Sequence, residues 1–266
     1  MPFPLPPTLE EQQRIVNRIE TLFAKLNQAK EKAQNVVDTF ETRKASILHK
    51  AFTGELTKKW RAENGVGDDS WEEKTIFEVC NSIKYGTSQK SEKSGKVIVL
   101  RMGNLQKGEI DWSDLAYTND ESDIIKYKLE KGDVLFNRTN SAEHVGKTSI
   151  YRGEYPAIYA GYIIKLDYKH ELLIGDYLNY LLNSPEAHEY CQKVKTDGVN
   201  QSNINSQKIG AFEIPICHLP EQTEIIRILD VIFEKENKAK EAAEAVLEQI
   251  DLLKKSILAR AFRGEL

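Results

Sequence analysis

The sequence predicts an α+β fold class: one globular domain flanked by two long helices that form an antiparallel coiled coil. Three observations lead there. The chain carries a gapless internal repeat, each copy of the repeat holds a sustained coiled-coil spacing, and the residues between the copies have a different composition. The expected division is residues 1–56 for the first helix, 57–214 for the globular domain and 215–266 for the second helix.

A shift of 210 residues aligns Leu9–Leu56 with Leu219–Leu266, and 21 of the 48 positions are identical. The ends agree best, with SILHKAFTGEL at Ser46–Leu56 against SILARAFRGEL at Ser256–Leu266, and the starts pair LEEQ with LPEQ. Two unrelated charged helices would not keep such termini in register, so the repeat is a duplication.

Both copies read as long helices. In the first, a 4-3 spacing runs through Ile15, Ile19, Leu22, Leu26, Ala29, Ala33, Val36, Phe40, Arg43 and Ile47. In the second it runs through Ile225, Leu229, Ile232, Glu236, Ala239, Ala243, Val246, Ile250, Leu253 and Ile257. Nine of the ten positions are apolar in each copy, and a 3.5-residue period sustained this long gives a left-handed coiled coil. Pro6–Pro7–Thr8 and Leu219–Pro220 sit where helices start, and Gly54 and Gly264 where they stop. The small Ala29, Ala33, Ala239 and Ala243 would let the helices approach closely. An oligomerisation stalk is the plainer reading of such helices, but two copies in one chain are able to pair with each other and hold the insert at one end.

The insert is richer in Tyr, Gly and Asn, with short apolar runs. Expected strands are Val97–Arg101, Val134–Phe136, Thr148–Arg152 and Ala157–Leu166, punctuated by Gly108, Gly132 and Gly153; expected helices are Gly175–Asn183 and Pro185–Lys195. The sheet should be irregular and mostly antiparallel.

Four segments of the insert are rich in side chains suited to nucleic acid. The stretch NSIKYGTSQK holds Lys84, Tyr85, Thr87, Ser88 and Lys90, with Gly86 allowing close backbone approach to a phosphate. LRMGN holds Arg101 and Asn104. NRTNS holds Arg138, Thr139, Asn140 and Ser141, followed by Lys147. DGVNQSNIN holds Asn200, Gln201, Ser202 and Asn203. The forked groups of Arg, Asn and Gln match guanine and adenine edges, while Ser, Thr and Lys suit phosphates. Each segment also has a plain structural reading, as a turn, a helix-capping loop or, for Arg101, an ion pair with a nearby carboxylate. The net charge of −4 argues mildly against nucleic acid. The insert itself carries 21 basic and 24 acidic residues, but the acids concentrate in Asp111–Asp123, expected as a separate face.

Other chemistry finds little support. The three cysteines, Cys80, Cys191 and Cys217, show no CxxC spacing and fit a reducing, cytoplasmic location better than zinc or disulfides. No run of about 18 apolar residues suggests a membrane span, and the start MPFPLPPTLEEQQ does not resemble a signal peptide. There is no glycine-rich cofactor loop, no P-loop, no amino-methyltransferase motif and no metal-ligand spacing among the histidines. Glu130–Lys131–Gly132–Asp133 is turn-like, and His144 reads as a polar loop residue. No catalytic residue is assigned.

These motifs together resemble a known family. PLPPTLEEQQRIVNRIETLF and the two endings KASILHKAFTGEL and KKSILARAFRGEL are similar to the conserved regions of specificity subunits of type I restriction-modification systems. The insert resembles the target recognition domains of that family through YGTS, LRMGN, KLEKGDVLFNRTNS, VGKTSIY, GVNQSNIN and IPICHLPEQ. The resemblance implies a non-catalytic subunit that reads one half of a split double-stranded DNA target and docks methyltransferase subunits on its coiled coil. S-adenosylmethionine would be carried by the methyltransferase, and a motor-nuclease subunit would join for cleavage. Family members carry two recognition domains, whereas one is found here, so the resemblance implies a half-type or truncated form. A homodimer reading an interrupted palindrome and a monomer whose seam is satisfied within one chain both remain open. The alternative function is a coiled-coil scaffold, or a competitor fragment that binds the methyltransferase without reading DNA.

Overall fold

The computed structural model describes residue 6, residues 8–199 and residues 201–266. Asn200, named above as a DNA contact, lies outside the described residues. Contacts divide the chain into two compact units, one of residues up to Lys44 together with Asp230–Leu266, the other Ala45–Leu229.

The first unit is an antiparallel pair of helices. The first helix, Leu9–Asp38, starts at Thr8, whose hydroxyl accepts from the Glu11 N–H at 3.2 Å. A second, Phe40–Phe52, follows after Thr39. The sequence predicts one unbroken run. The break arises at Thr39, whose hydroxyl donates to the Asn35 carbonyl at 2.6 Å and accepts from the Arg43 guanidinium. Hydroxyl bonding to the preceding turn competes with the helical ladder. The interruption is local, because Thr39 N–H still reaches Asn35 O at 3.1 Å and Arg43 N–H reaches Thr39 O at 2.9 Å. The partner helix, Leu219–Phe262, is continuous over 44 residues.

Cross-helix contacts give the direction. Arg14 donates to the Leu266 carbonyl at 2.8 Å, Lys254 to Asn27 at 2.7 Å, and Arg43 pairs with Glu236 at 2.8 Å, so numbering rises on one helix as it falls on the other. Arg43 and Glu236 are the single polar position of each predicted seam, and they face one another. The duplication is also packed symmetrically. Lys254 lies 5.7 Å from the Phe23 ring centre and Lys44 lies 5.5 Å from that of Phe233. Each lysine and each phenylalanine is the other's counterpart in the repeat, as a local two-fold requires. Such lysines lay their aliphatic stems over the seam while the ammonium engages the ring.

On the first copy of the repeat the seam follows the predicted spacing except at Ala29: Ile15, Ile19, Leu22, Leu26 and Val36 are half-buried, and Ala33 and Phe40 are buried. Ile47, half-buried, and the buried Ile225 and Leu229 belong to the second unit. On the partner helix the seam is corrected. Ile232 and Ile257 are half-buried and Ile250 is buried, but Val246 is 39% and Leu253 49% exposed. Lys240, Leu247 and Lys254 are the half-buried residues there instead. Adjacent apolar pairs such as Val246–Leu247 point about 100° apart on a helix, and spacing alone does not choose between them. Ala33 and Ala243 are buried, whereas Ala29 and Ala239 are exposed.

The second unit is α+β, built from several small sheets instead of one. The central sheet orders Cys80–Tyr85, Ile163–Tyr168, Val134–Asn137 and Thr148–Ile150, all antiparallel. A second sheet orders Ala157–Tyr159, Val97–Leu100 and Ala116–Thr118, and its first pair is parallel. The segment expected as one strand, Ala157–Leu166, is therefore two strands in different sheets. The chain turns at Ala160–Tyr162, where Gly161 N–H donates to the Thr87 carbonyl at 2.7 Å. Ile98, Leu100, Leu105, Leu135, Tyr159 and Ile163 form the core between these sheets. The helices Gly175–Leu182 and Pro185–Val194 match expectation to within a residue, the latter with Pro at its first position and Ser184 as cap.

Both ends of the repeat enter this unit. Leu48, Ala51 and Phe52 of the first copy are buried, with Phe52 edge-on to Tyr177 at 5.3 Å. The LPEQ start of the second copy is buried too. Glu221 accepts from Arg61 at 2.7 Å, Thr57 at 2.6 Å and the Trp71 indole at 3.1 Å. Gln222 donates to the Leu172 and Cys217 carbonyls and accepts from Ile174 N–H.

Candidate nucleic-acid interface

Strand register brings the predicted segments together. Tyr85 pairs with Ile164, Asn137 with Ile163 and Phe136 with Thr148, so the ends of these strands lie side by side. Tyr85–Lys90, Arg138–Ser141 and Lys147 all emerge from this one end of the central sheet. The fourth segment joins through a small sheet in which Ser202 pairs with Asn140, Asn203 with Thr139 and Thr196 with Asn203. Arg101–Gln106 lies alongside, since Asn137 donates to the Met102 carbonyl at 3.2 Å and Lys147 to Gln106 at 3.1 Å.

Arg138 stands at the centre of this convergence. Its guanidinium lies 4.8 Å from the Tyr85 ring centre, donates to Asn203 Oδ1 at 3.0 Å and approaches the Gly161 carbonyl at 3.3 Å. Asn203 in turn donates to Thr139 at 2.8 Å. The Tyr85 hydroxyl donates to Ser206 Oγ at 3.0 Å and accepts the Ser206 N–H at 2.8 Å. Three of the four segments are thus tied through one side chain. Arg138 Nε is buried with no partner, as are Arg101 Nε and Asn137 Oδ1 close by.

Several predicted contacts are corrected. Thr87, Asn104, Thr139 and Ser202 are buried. Thr87 bonds to Asp123, and Asn104 bridges Arg101 N–H to the Asp111 and Asp114 carbonyls. Ser202 donates to Asp197 at 2.5 Å, and this bond, with Lys195 next to it, holds the Asp197 carboxyl below the usual range. Gly86 serves packing: a Cβ there would stand 2.1 Å from the Tyr159 carbonyl oxygen. These side chains shape the loops and are closed to solvent. Lys84, Tyr85, Ser88, Lys90, Ser141 and Gln201 are exposed, and Arg101, Arg138, Asn140, Lys147 and Asn203 are half-buried.

The acidic stretch is not a separate face. Asp123 reaches Thr87, and Asp114 pairs with Arg101 at 2.9 Å. A shallow cavity of about 330 Å³ lies between Arg101, Asn104, Asp111, Asp114 and Tyr162. Sequence reasoning passed over Tyr162 and Gln89, both exposed at this end. The signals were present: an aromatic beside Gly161 within a split strand, and an amide inside NSIKYGTSQK. Among the described residues, no group of three or more His, Cys, Asp or Glu is arranged to hold a metal, and no helix is long and apolar enough to cross a membrane.

The geometry makes Arg138 a positioning residue. Arg138→Ala is expected to lower unfolding stability by about 2–3 kcal/mol, from lost charged hydrogen bonds and ring stacking. Arg138→Lys keeps a cation near Tyr85 but not the fork, and should recover only part of the loss in urea denaturation. An unchanged midpoint for the Ala variant would contradict this role.

Comparison with known proteins bears on what such a surface serves. Residues 68–249 match the type I restriction modification DNA specificity domain. The chain belongs to this family. It is 28% identical over 269 residues to the type I restriction enzyme EcoKI specificity subunit of Escherichia coli K12, covering 99% of this chain and 57% of that subunit. It is 32% identical over 188 residues to the MjaX specificity subunit of Methanocaldococcus jannaschii, covering 69% of this chain and 44% of that one. The chain thus spans about half the length of these specificity subunits. Among solved structures, the HsdS subunit from Thermoanaerobacter tengcongensis superposes with a TM-score of 0.64 at 21% identity, covering 98% of this chain and 60% of that one. A chain of a type I R-M system solved in a study of complex assembly and conformational transition gives 0.74, also at 21%, covering 98% and 61%. The fold is that of these specificity subunits: a mixed globular unit with coiled-coil helices.

Proposed function

We propose that this chain is the non-catalytic DNA-reading subunit of a type I restriction-modification complex. Its globular unit reads one half of a split double-stranded target. Its coiled coil docks methyltransferase subunits, which carry S-adenosylmethionine, and a motor-nuclease subunit joins for cleavage. The reading rests on one observation above all: four polar segments, distant in sequence, converge at a single end of the central sheet. Arg, Asn, Gln, Ser and Lys side chains gathered in this way are what base edges and phosphates require. Membership of the specificity family supports the same assignment. Two copies of this unit arranged about a two-fold would read an interrupted palindrome.

The test is to map modified adenines in DNA from cells expressing the full chain with its methyltransferase subunit. An interrupted palindrome is the expected outcome. Absence of any modified motif, with the assembled complex verified, would overturn the reading role.

A further inference from the structure

The convergent end of the sheet contains many forked polar side chains, and most are already engaged. Arg138 is held by Tyr85, Asn203 and Gly161. Asn203 uses both ends of its amide, on Arg138 and Thr139. Asn104 is buried in three bonds to backbone. Gln106 donates to the Gly103 carbonyl and accepts from Lys147. Arg101 is paired with Asp114, Asn137 is fully buried, and Asn140 accepts from Ser141 N–H.

Two forks remain. The side chains of Gln89 and Gln201 are exposed, and neither takes part in a hydrogen bond among the described residues. Both stand beside the Arg138 cluster. Gln89 follows Thr87, whose carbonyl accepts from Gly161, and Gly161 in turn accepts from Arg138. Gln201 precedes Ser202–Asn203, the strand that Arg138 holds. Their backbones are fixed: Gln89 N–H donates to Thr87 Oγ1 at 3.0 Å, and the Gln201 carbonyl accepts from Gly198 N–H at 2.8 Å.

We propose that Gln89 and Gln201 are the base-reading side chains of this surface, and that each reads an adenine in the major groove. A carboxamide presents one donor and one acceptor side by side, which matches the N7 acceptor and N6 donor of adenine; guanine, with two acceptors, is matched by a guanidinium. At this end the guanidinium groups of Arg101 and Arg138 are committed within the chain, while the two carboxamides are open. Specificity therefore falls on A·T pairs, with Lys84, Lys90 and Ser88 left to hold phosphates. This proposal rests on the DNA-reading function and names the residues that carry it.

The test is selection from a randomised duplex library by the full chain assembled with its methyltransferase subunit, for the native protein and the variants Gln89→Ala and Gln201→Ala. The native complex should enrich a motif, and each variant should relax one A·T position of it. Affinity for the native motif should fall roughly 5- to 150-fold per variant, with binding to unrelated duplex unchanged. Unfolding midpoints should not move, because neither side chain is packed. If the native complex enriches a motif that both variants keep with equal affinity, the assignment of these residues fails while the reading function stands. Relaxation at a G·C position overturns the adenine assignment. If the native complex enriches nothing, both the assignment and the reading function fall.

Discussion

Arg61→Ala is expected to cost about 3–5 kcal/mol of stability, as removal of one partner of a buried ion pair does. Glu221 is 0% and Arg61 6% exposed, and their 2.7 Å contact is supported by Thr57 and Trp71. Without the guanidinium, the carboxylate keeps only neutral donors, and a buried charge with too few partners is costly. Gln222, next along the helix, is also fully buried, so the loss should extend into the helix start. Guanidinium denaturation followed by tryptophan fluorescence gives the number, with Trp71 as a local reporter. Replacing both partners together, Arg61→Met with Glu221→Leu, should recover much of the loss, because an apolar pair removes the desolvation cost along with the attraction. A single Ala variant as stable as the native chain would mean that the carboxylate is hydrated, contrary to its burial.

The second large effect concerns the coiled coil, where two similar substitutions should differ sharply. Ile250 is 3% exposed and Leu253 is 49% exposed. Ile250→Asp places an unpaired charge in the seam and deletes a packed side chain, for an expected loss of about 3–5 kcal/mol. Leu253→Asp meets solvent and should change stability by less than about 0.5 kcal/mol. Melting curves followed by far-ultraviolet circular dichroism would separate them. Comparable losses for the two would restore the spacing read from sequence, in which Ile250 and Leu253 both face the partner helix.

How much was legible follows from the same residues. The duplication, the antiparallel coil and the α+β insert are visible because repeats and periodicity are properties of the string itself. Which of two neighbouring apolar residues faces inward is not such a property; Val246 and Leu247 differ only by rotation about the helix. The four expected strands all exist, but others, among them Cys80–Tyr85 and Ala116–Thr118, were not foreseen, and Ala157–Leu166 read as one because an apolar run does not announce where it changes sheets. Residue types picked out four polar segments that do meet in space. They could not tell Asn104 and Ser202, spent on backbone and hairpin, from Gln89 and Gln201, left open. The partners of Asn104 and Ser202 lie within ten residues, but the loop geometry that brings them together is not written in residue type; Arg138 and Asn203 meet across 65 residues, which no local pattern encodes.

The three thiols have a practical consequence. Cys80, Cys191 and Cys217 are buried, and burial pushes each up to about 12, so almost none is thiolate at neutral pH. The native chain is therefore expected to react slowly with alkylating reagents. A cysteine placed at Tyr162 or Ser88, both exposed, would take a spectroscopic label selectively without stripping the native thiols first. If two copies pair as proposed, distances between such labels on separate chains would measure how far apart their convergent ends stand, with and without DNA.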